Sequence, residues 1–165
     1  VSLPTPRGVK RVDVRSAMQM NEAVQQSTAN AQVFIAAAAV ADWRPALAAD
    51  QKIKKDGSGD TPELRFVENP DILATVAQTT RAQSGELFCV GFAAESHDLL
   101  AHATAKRARK GVPLLVGNIG PSTFGQDDNA LLLVDAQGAK EFPRDTKTKL
   151  AYDLIQDIAA RLGKH

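Results

Sequence analysis

Charged and aromatic side chains able to bind a nucleotide or a cation follow several apolar runs of this sequence. Asp42, Glu95 and Asn118 each stand at or just beyond the end of such a run, and Phe92 lies close before Glu95. Asp71 heads a predicted helix. Ligands of open α/β sheets bind beyond the carboxyl ends of parallel strands. If the runs are parallel strands, these side chains meet at one edge of a sheet.

Two groups of lysines are expected at the same edge. Lys52, Lys54 and Lys55 precede a glycine-containing loop, and Lys106 and Lys110 are four residues apart, so they share one helix face. Mg²⁺ binds through one or two carboxylates plus phosphate oxygens, and lysines offset the phosphate charge. Each group alone is more commonly a solvated charge run. Only their convergence at one edge favours a nucleotide–metal site.

The apolar run that begins at Val33 and ends at Asp42 is central to this interpretation. Its first residues, Val, Phe and Ile, favour a strand buried on both faces of a parallel sheet. The four alanines at 36–39 fit a strand less well and would equally suit a helix packed closely against a neighbour. If the run is a strand, its small residues would let a large ligand approach the backbone. The residues alone support the strand and the helix about equally.

The pattern along the chain predicts an α/β fold with a mostly parallel sheet, flanking helices and a C-terminal hairpin. Helices are predicted at 16–30, 70–82, 96–110 and 146–162, and strands at 9–14, 33–41, 64–67, 87–92, 113–116, 129–134 and 139–142. The sharpest local signal is the sequence Asn69-Pro70-Asp71, with Asn as N-cap, Pro at the first helical position and Asp in the first turn. Ser16, Ser96 and Thr146 are expected to cap the first, third and fourth helices, and Gly111 to end the third.

Size and composition are those of one globular domain. The chain has 165 residues, 44% of them hydrophobic, and a net charge of +1, so no broad field attracts nucleic acid or a membrane. The chain has a single cysteine, Cys89, which excludes an internal disulfide and favours a reducing compartment. We expect Cys89 to be a small buried hydrophobic residue. No segment is long and apolar enough to span a membrane. We therefore expect a cytoplasmic domain, and the opening at Val1 indicates a piece of a longer protein.

The common phosphate-binding loops are absent from the sequence. It contains neither Gly-x-Gly-x-x-Gly nor Gly-x-x-x-x-Gly-Lys-Ser/Thr. A nicotinamide dehydrogenase would fit the α/β pattern but lacks its glycine fingerprint here. The two commonest phosphate-binding loops are therefore excluded within this stretch of sequence.

Four motifs in order carry a resemblance to a known family. They are AAVADWRP at 38–45, KIKK at 52–55, NPDIL at 69–73 and VGFAAE at 90–95. Together with Lys106, Lys110, Asn118 and the opening SLPTP, they resemble bacterial phosphopantothenate–cysteine ligase. In this family the ligase is the synthetase domain of the bifunctional coenzyme A biosynthesis flavoprotein. The resemblance covers essentially the whole chain.

The resemblance implies a Rossmann-like sheet and a CTP-dependent ligase acting through an acyl-cytidylate. It also implies a nucleotide site formed by Ala36, Ala37, Ala38, Asp42, Lys52, Pro70, Asp71, Ile72, Leu73, Phe92, Lys106 and Lys110. Within that set we expect Lys52 to be the catalytic residue and Asp42 and Asp71 to hold Mg²⁺. Phe92 is expected to contact the base, while the small alanines admit the nucleotide.

The resemblance further implies 4'-phosphopantothenate and L-cysteine as substrates and a homodimer as the assembly. FMN would belong only to the separate decarboxylase domain of the same parent chain. Two departures from the family pattern matter. The family's first strand and Gly/Ser-rich loop precede the point where this sequence starts, and Ile119 follows Asn118 where the family usually has Asp. The alternative is therefore a truncated, non-catalytic domain that binds CTP or docks to its neighbouring domain.

Overall fold

A computed structural model describes residues 3–47, 63–95, 97–119 and 125–163 of the chain. In these ranges the elements follow one another as α1 (Ala17–Thr28), β1 (Val33–Ala36), β2 (Trp43–Pro45), β3 (Phe66–Glu68), α2 (Ile72–Ala77), α3 (Thr80–Gln83), β4 (Phe88–Glu95), α4 (Leu99–Lys110), β5 (Leu114–Ile119), β6 (Asp128–Val134), β7 (Ala139–Thr146) and α5 (Lys147–Leu162). Strands and helices alternate through much of the chain, which is typical of α/β proteins. The predicted fold class is confirmed.

The main sheet has five strands in the order β1-β4-β5-β6-β7. β1, β4 and β5 pair in parallel, whereas β6 is antiparallel to both β5 and β7. Four of the five strands therefore run in one direction, and the predicted C-terminal hairpin forms the antiparallel end of the sheet. β2 and β3 form a separate antiparallel ribbon.

Two apolar cores lie on opposite faces of the sheet. On one face α2 and α4 pack on side chains that include Cys89 and Ala93 of β4. On the other face α5 packs on Val90 and, less deeply, Phe92. The alternation along β4 follows the two-residue period of a strand. Cys89 is the buried small residue expected, and burial raises the pKa of its thiol to about 11.

The strand predicted at 33–41 is shorter and more peripheral than expected. β1 covers only Val33–Ala36, its side chains are half-buried, and it stands at the end of the described sheet. Residues 37–39 have left the sheet and are exposed. The strand, rather than the alanine-packed helix, is confirmed. The expected burial on both faces was wrong, because among the described residues β1 pairs only with β4, at the edge of the sheet.

The strands predicted at 9–14 and 64–67 were also placed inaccurately. Residues 9–14 form no strand, and Val9 and Val12 are exposed because they have no sheet neighbour. The second prediction is shifted to β3, whose three residues are exposed instead of half-buried. β3 packs on no core; its only strand partner in the described chain is β2.

The helix predicted at 70–82 is divided into α2 and α3. Its N-cap is Asp71 instead of Asn69, because the side chain of Asn69 is bonded to other parts of the chain. The division falls at Thr79, whose hydroxyl donates to the Val76 carbonyl and accepts from the Ala82 amide. These two hydrogen bonds satisfy backbone groups that a continuous helix would pair internally.

Other helix ends agree with the sequence. Ser16 and Thr146 cap α1 and α5 through their hydroxyls, and Gly111 ends α4 in the left-handed conformation at φ 67°. Ser96 lies outside the described residues; the N-cap of α4 is Asp98, at φ 45°. No helix in the described ranges is long and apolar enough to cross a membrane.

Candidate functional site

Helix α4 is held close to the sheet by two small residues. A Cβ added to Gly117 of β5 would lie 2.9 Å from Leu99 Cδ1 and 3.6 Å from the Cβ of Ala103. Ala103 is fully buried. Lys106 follows Ala103 by three residues, and Lys110 follows Lys106 by four. Both lysines therefore continue this face of α4. The packing therefore turns both lysines toward the sheet and α2, and both are only partly exposed.

Lys110 is paired with Asp71 at the start of α2. One carboxylate oxygen of Asp71 accepts from the Ala74 amide at 3.1 Å, and the other forms a short ion pair with Lys110 Nζ. Burial alone would raise the pKa of Asp71. The hydrogen bonds from Lys110 and Ala74, with the positive charges of Lys110 and Arg109, outweigh it and lower the pKa. Asp71 is therefore an ionised cap and an anchor for Lys110.

Lys106 is paired with Glu95, the last residue of β4. Lys106 Nζ lies 3.5 Å from Glu95 Oε1, and His102 Nδ1 lies 3.7 Å from Glu95 Oε2. The rings of His102 and His97 meet edge to face with centroids 5.1 Å apart. Two lysines of one helix thus reach two carboxylates, one at the carboxyl end of β4 and one at the start of α2.

The segment carrying Asp42 is fixed through its backbone. The Asp42 carbonyl accepts from the Asn69 amide at 2.7 Å, and the Asn69 side chain donates to the Ala41 carbonyl at 2.8 Å. Arg44 donates to the Glu68 carbonyl at 2.6 Å and to Asn69 Oδ1 at 3.1 Å. Asp42 itself is exposed, and no partner for its carboxylate occurs within the described ranges. The backbone of Asp42 is thus held in place, while its carboxylate is open to a ligand.

The predicted alanines lie at the end of β1. Ala36 is half-buried and pairs with Gly91 of β4, whereas Ala37 and Ala38 are exposed beyond the strand. A Cβ on Gly91 would lie 2.7 Å from Leu73 Cδ2, so α2 approaches the sheet closely here. Ile72 and Leu73 consequently pack inward, and what this stretch can offer a ligand is its backbone. Pro70 is half-buried beside them.

Phe92 does not share a face with the lysines. Its side chain packs in the α5 core, whereas Glu95 reaches α4 on the opposite face. A ligand touching both Phe92 and Lys106 would have to pass over the end of the sheet. Lys52, Lys54 and Lys55 lie outside the described residues, so their predicted place at this edge stays a prediction.

The described residues contain no group of three or more His, Cys, Asp and Glu side chains arranged for a metal ion. Of the two carboxylates predicted to bind Mg²⁺, Asp71 is already bonded to Lys110 and Ala74, and only Asp42 is open. One carboxylate is enough where phosphate oxygens supply other ligands.

Sequence reasoning gave Arg44 no role, treated Asn69 only as a helix cap, and did not pair Glu95 with Lys106. Arg44 stands inside the AAVADWRP motif and Asn69 opens NPDIL, so both were adjacent to predicted site residues. No local pattern links Arg44 with Asn69, because the two residues are 25 apart in the chain. Nothing in the local pattern indicated that Glu95 would meet α4.

An α/β domain with a charged cluster at the carboxyl edge of a mostly parallel sheet belongs to the Rossmann-like class. The sequence model described as the DNA/pantothenate metabolism flavoprotein C-terminal domain matches residues 1–162. The chain therefore belongs to that family, and the resemblance found in the sequence is confirmed.

Individual relatives agree with this assignment. The chain is 44% identical over 154 residues to the coenzyme A biosynthesis bifunctional protein CoaBC of Vibrio cholerae serotype O1, covering 92% of this chain and 38% of that protein. It is 42% identical to CoaBC of Escherichia coli strain K12, covering 98% and 40%. A crystal structure of the C-terminal domain of CoaBC superposes with a TM-score of 0.78 at 28% identity, covering 99% of this chain and 71% of that one. The chain thus spans about two-fifths of the curated relatives it matches.

Proposed function

We propose that the chain is a single ligase domain that joins 4'-phosphopantothenate to L-cysteine at the expense of CTP in coenzyme A biosynthesis. The pantothenate carboxylate attacks the α-phosphorus of CTP, giving an acyl-cytidylate and pyrophosphate. The amine of cysteine then attacks the acyl carbon and releases CMP, giving phosphopantothenoylcysteine. The observation that carries the proposal is family membership over residues 1–162 with the motif residues retained.

The geometry of the charged cluster supports a phosphate-binding role. Lys106 and Lys110 reach from α4 to the carboxyl end of β4 and to the start of α2, and each has further N–H donors beyond the one facing its carboxylate. The exposed backbone at Ala37 and Ala38 lies at the end of the neighbouring strand. A nucleotide placed across this edge would meet small residues on one side and ammonium groups on the other.

Mg²⁺ fits this site through one protein ligand. Asp42 is an open carboxylate on a fixed backbone, and the remaining ligands would be phosphate oxygens and water. The cation would offset phosphate charge and orient the triphosphate. Asp71 could join it only by giving up its ion pair with Lys110, so we assign Asp42 the larger share of cation binding.

Lys52 is our choice for the catalytic residue. In the resemblance it belongs to the KIKK motif, and a positive charge near the transferred phosphorus stabilises the charge that develops there. Phe92, on the far face of the sheet end, is assigned to the base. These two roles rest on the resemblance alone.

The proposal includes a homodimer, a decarboxylase domain carrying FMN in the same protein, and a cytoplasmic location. The dimer is supported by the β2–β3 ribbon, in which Trp43 is 60% and Phe66 57% exposed. A two-stranded ribbon is marginally stable alone. Large apolar side chains on such a ribbon are stabilised when a second copy covers them.

A nucleotide-binding screen on this chain tests the proposal. In excess Mg²⁺ we expect calorimetry to give CTP an affinity about tenfold or more above that of ATP, a difference of about 1.4 kcal/mol. Equal affinities would contradict a CTP site, and tightest binding of NAD would favour a dehydrogenase-like module. CTP binding without turnover by the natural protein would favour the non-catalytic alternative.

A further inference from the structure

We infer that Glu95 is a positioning residue that holds Lys106 in the orientation needed to bind nucleotide phosphate, an inference that rests on the proposed function. Sequence analysis expected Glu95 at this edge of the sheet but gave it no role in the nucleotide site, and its own charge repels phosphate. Its carboxylate nevertheless lies 3.5 Å from Lys106 Nζ. A carboxylate at this place must therefore act through the lysine beside it.

Glu95 is well placed to fix another side chain because its own backbone is fixed. It ends β4 and pairs with Ile119 of the neighbouring parallel strand β5. Its side chain is only 22% exposed, against 30% for Lys106. On the other side its second oxygen faces His102 Nδ1 at 3.7 Å. Groups on both sides thus restrict the carboxylate.

Lys106 needs such restraint more than most residues of the cluster. A lysine has four rotatable methylenes, and ordering its side chain costs up to about 2 kcal/mol of conformational entropy. When Glu95 orders the chain before the ligand arrives, phosphate binding no longer carries that whole cost. Lys110 has the matching arrangement, with Asp71 as its anchor. The two lysines are therefore held from two different elements.

The sign of the effect separates positioning from plain electrostatics. Glu95→Gln removes one negative charge near a site for a polyanion, so a bystander carboxylate would oppose binding and its loss would tighten CTP binding. Loss of a positioning residue weakens CTP binding instead, in spite of the gain in positive potential. The two explanations predict opposite changes in the same measurement.

The experiment is a set of calorimetric titrations on the full chain with CTP and with cytidine, both in excess Mg²⁺. The variants are Glu95→Gln, Lys106→Gln and the double variant. Asp153→Asn is the matched control, because it also removes one charge from an ion pair, with Lys149, but on α5 across the sheet.

We expect Glu95→Gln to weaken CTP binding about threefold to fivefold, the range reached by partly exposed ion pairs. Cytidine, which has no phosphate, should bind within about twofold of the wild-type affinity, since Lys106 does not act on it. In the Lys106→Gln background the Glu95 substitution should weaken CTP binding no further. Asp153→Asn should leave both ligands unchanged.

Three results would overturn this inference while leaving the proposed function intact. They are tighter or equal CTP binding by Glu95→Gln, an equal loss of affinity for cytidine, or a full additional loss of CTP affinity in the Lys106→Gln background. An equal loss for cytidine would indicate a general disturbance of the end of β4. Wild-type chain that binds CTP no better than cytidine would instead overturn the proposed function, and the positioning role with it.

Discussion

The carboxylate of Asp71 makes two interactions at once, and substitutions can remove one or both of them. One oxygen caps α2 through the Ala74 amide, and the other is paired with Lys110. Alanine abolishes both, whereas asparagine keeps an oxygen that can cap the helix and loses only the charge. Comparing the two substitutions therefore separates the cap from the ion pair.

The expected magnitudes follow from these contacts. Loss of an N-cap costs about 1 kcal/mol, and asparagine caps about as well as aspartate. The side chain of Asp71 is 46% exposed, so its ion pair is screened by solvent and contributes about 0.2–1 kcal/mol. We expect Asp71→Ala to lower the free energy of unfolding by about 1.2–2 kcal/mol and Asp71→Asn by about 1 kcal/mol or less.

The assay is urea unfolding at pH 7 followed by far-ultraviolet circular dichroism, with Asp153→Asn as the control for loss of an exposed ion pair. The pKa of Asp71 is lowered from its ordinary 3.8 in the folded chain. A lowered folded-state pKa gives stability that is present above pH 3.8 and is lost as the pH falls through the folded value. The difference between wild type and Asp71→Asn should therefore shrink in that acidic window.

Equal losses for Asp71→Ala and Asp71→Asn would refute the capping role. A difference between wild type and Asp71→Asn that grows as the pH falls below 3.8 would refute the ion pair with Lys110 as the cause of the lowered pKa.

Three further substitutions test other parts of the account. Gly91→Ala should lower the free energy of unfolding by about 1–3 kcal/mol, because the new methyl would lie 2.7 Å from Leu73 Cδ2. Gly163→Ala is the control in the same unfolding assay: its new methyl would lie 3.7 Å from the Ala159 carbonyl oxygen, so the free energy of unfolding should not change. Asp42→Asn should weaken CTP binding in Mg²⁺ but not in excess chelator, and equal calorimetric losses in both would make Asp42 a direct nucleotide ligand instead. Lys52→Gln should slow single-turnover ligation by the natural protein about a hundredfold while CTP affinity stays within about tenfold, and ligation at the wild-type rate would contradict its catalytic role.

The features that the sequence predicted best are those determined by contacts between residues close in the chain. Ser16 and Thr146 cap their helices as expected because a hydroxyl and an amide three residues later suffice. Asn69 carried the same local signal, yet its side chain bonds to Ala41 and Arg44, and Asp71 becomes the cap. Contacts across about 25 residues cannot be read from a capping motif.

The candidate site was predictable as a set of residues but not as an arrangement. That Phe92 and Glu95 lie on opposite faces follows from their odd separation along a strand, a deduction the sequence allowed. The pairing of Lys106 with Glu95 depends instead on how closely α4 approaches β5. That distance is set by Gly117 against Leu99, which no local pattern reveals.

The central claim, ligation through an acyl-cytidylate, is tested most directly by following oxygen. The natural protein would be given CTP, L-cysteine and 4'-phosphopantothenate labelled with ¹⁸O in its carboxylate, and the CMP formed would be examined by mass spectrometry. Attack of the carboxylate on the α-phosphorus predicts that CMP carries one labelled oxygen for each product molecule formed. Product formation with unlabelled CMP, or label in inorganic phosphate, would contradict that mechanism, and absence of product would contradict the ligase assignment.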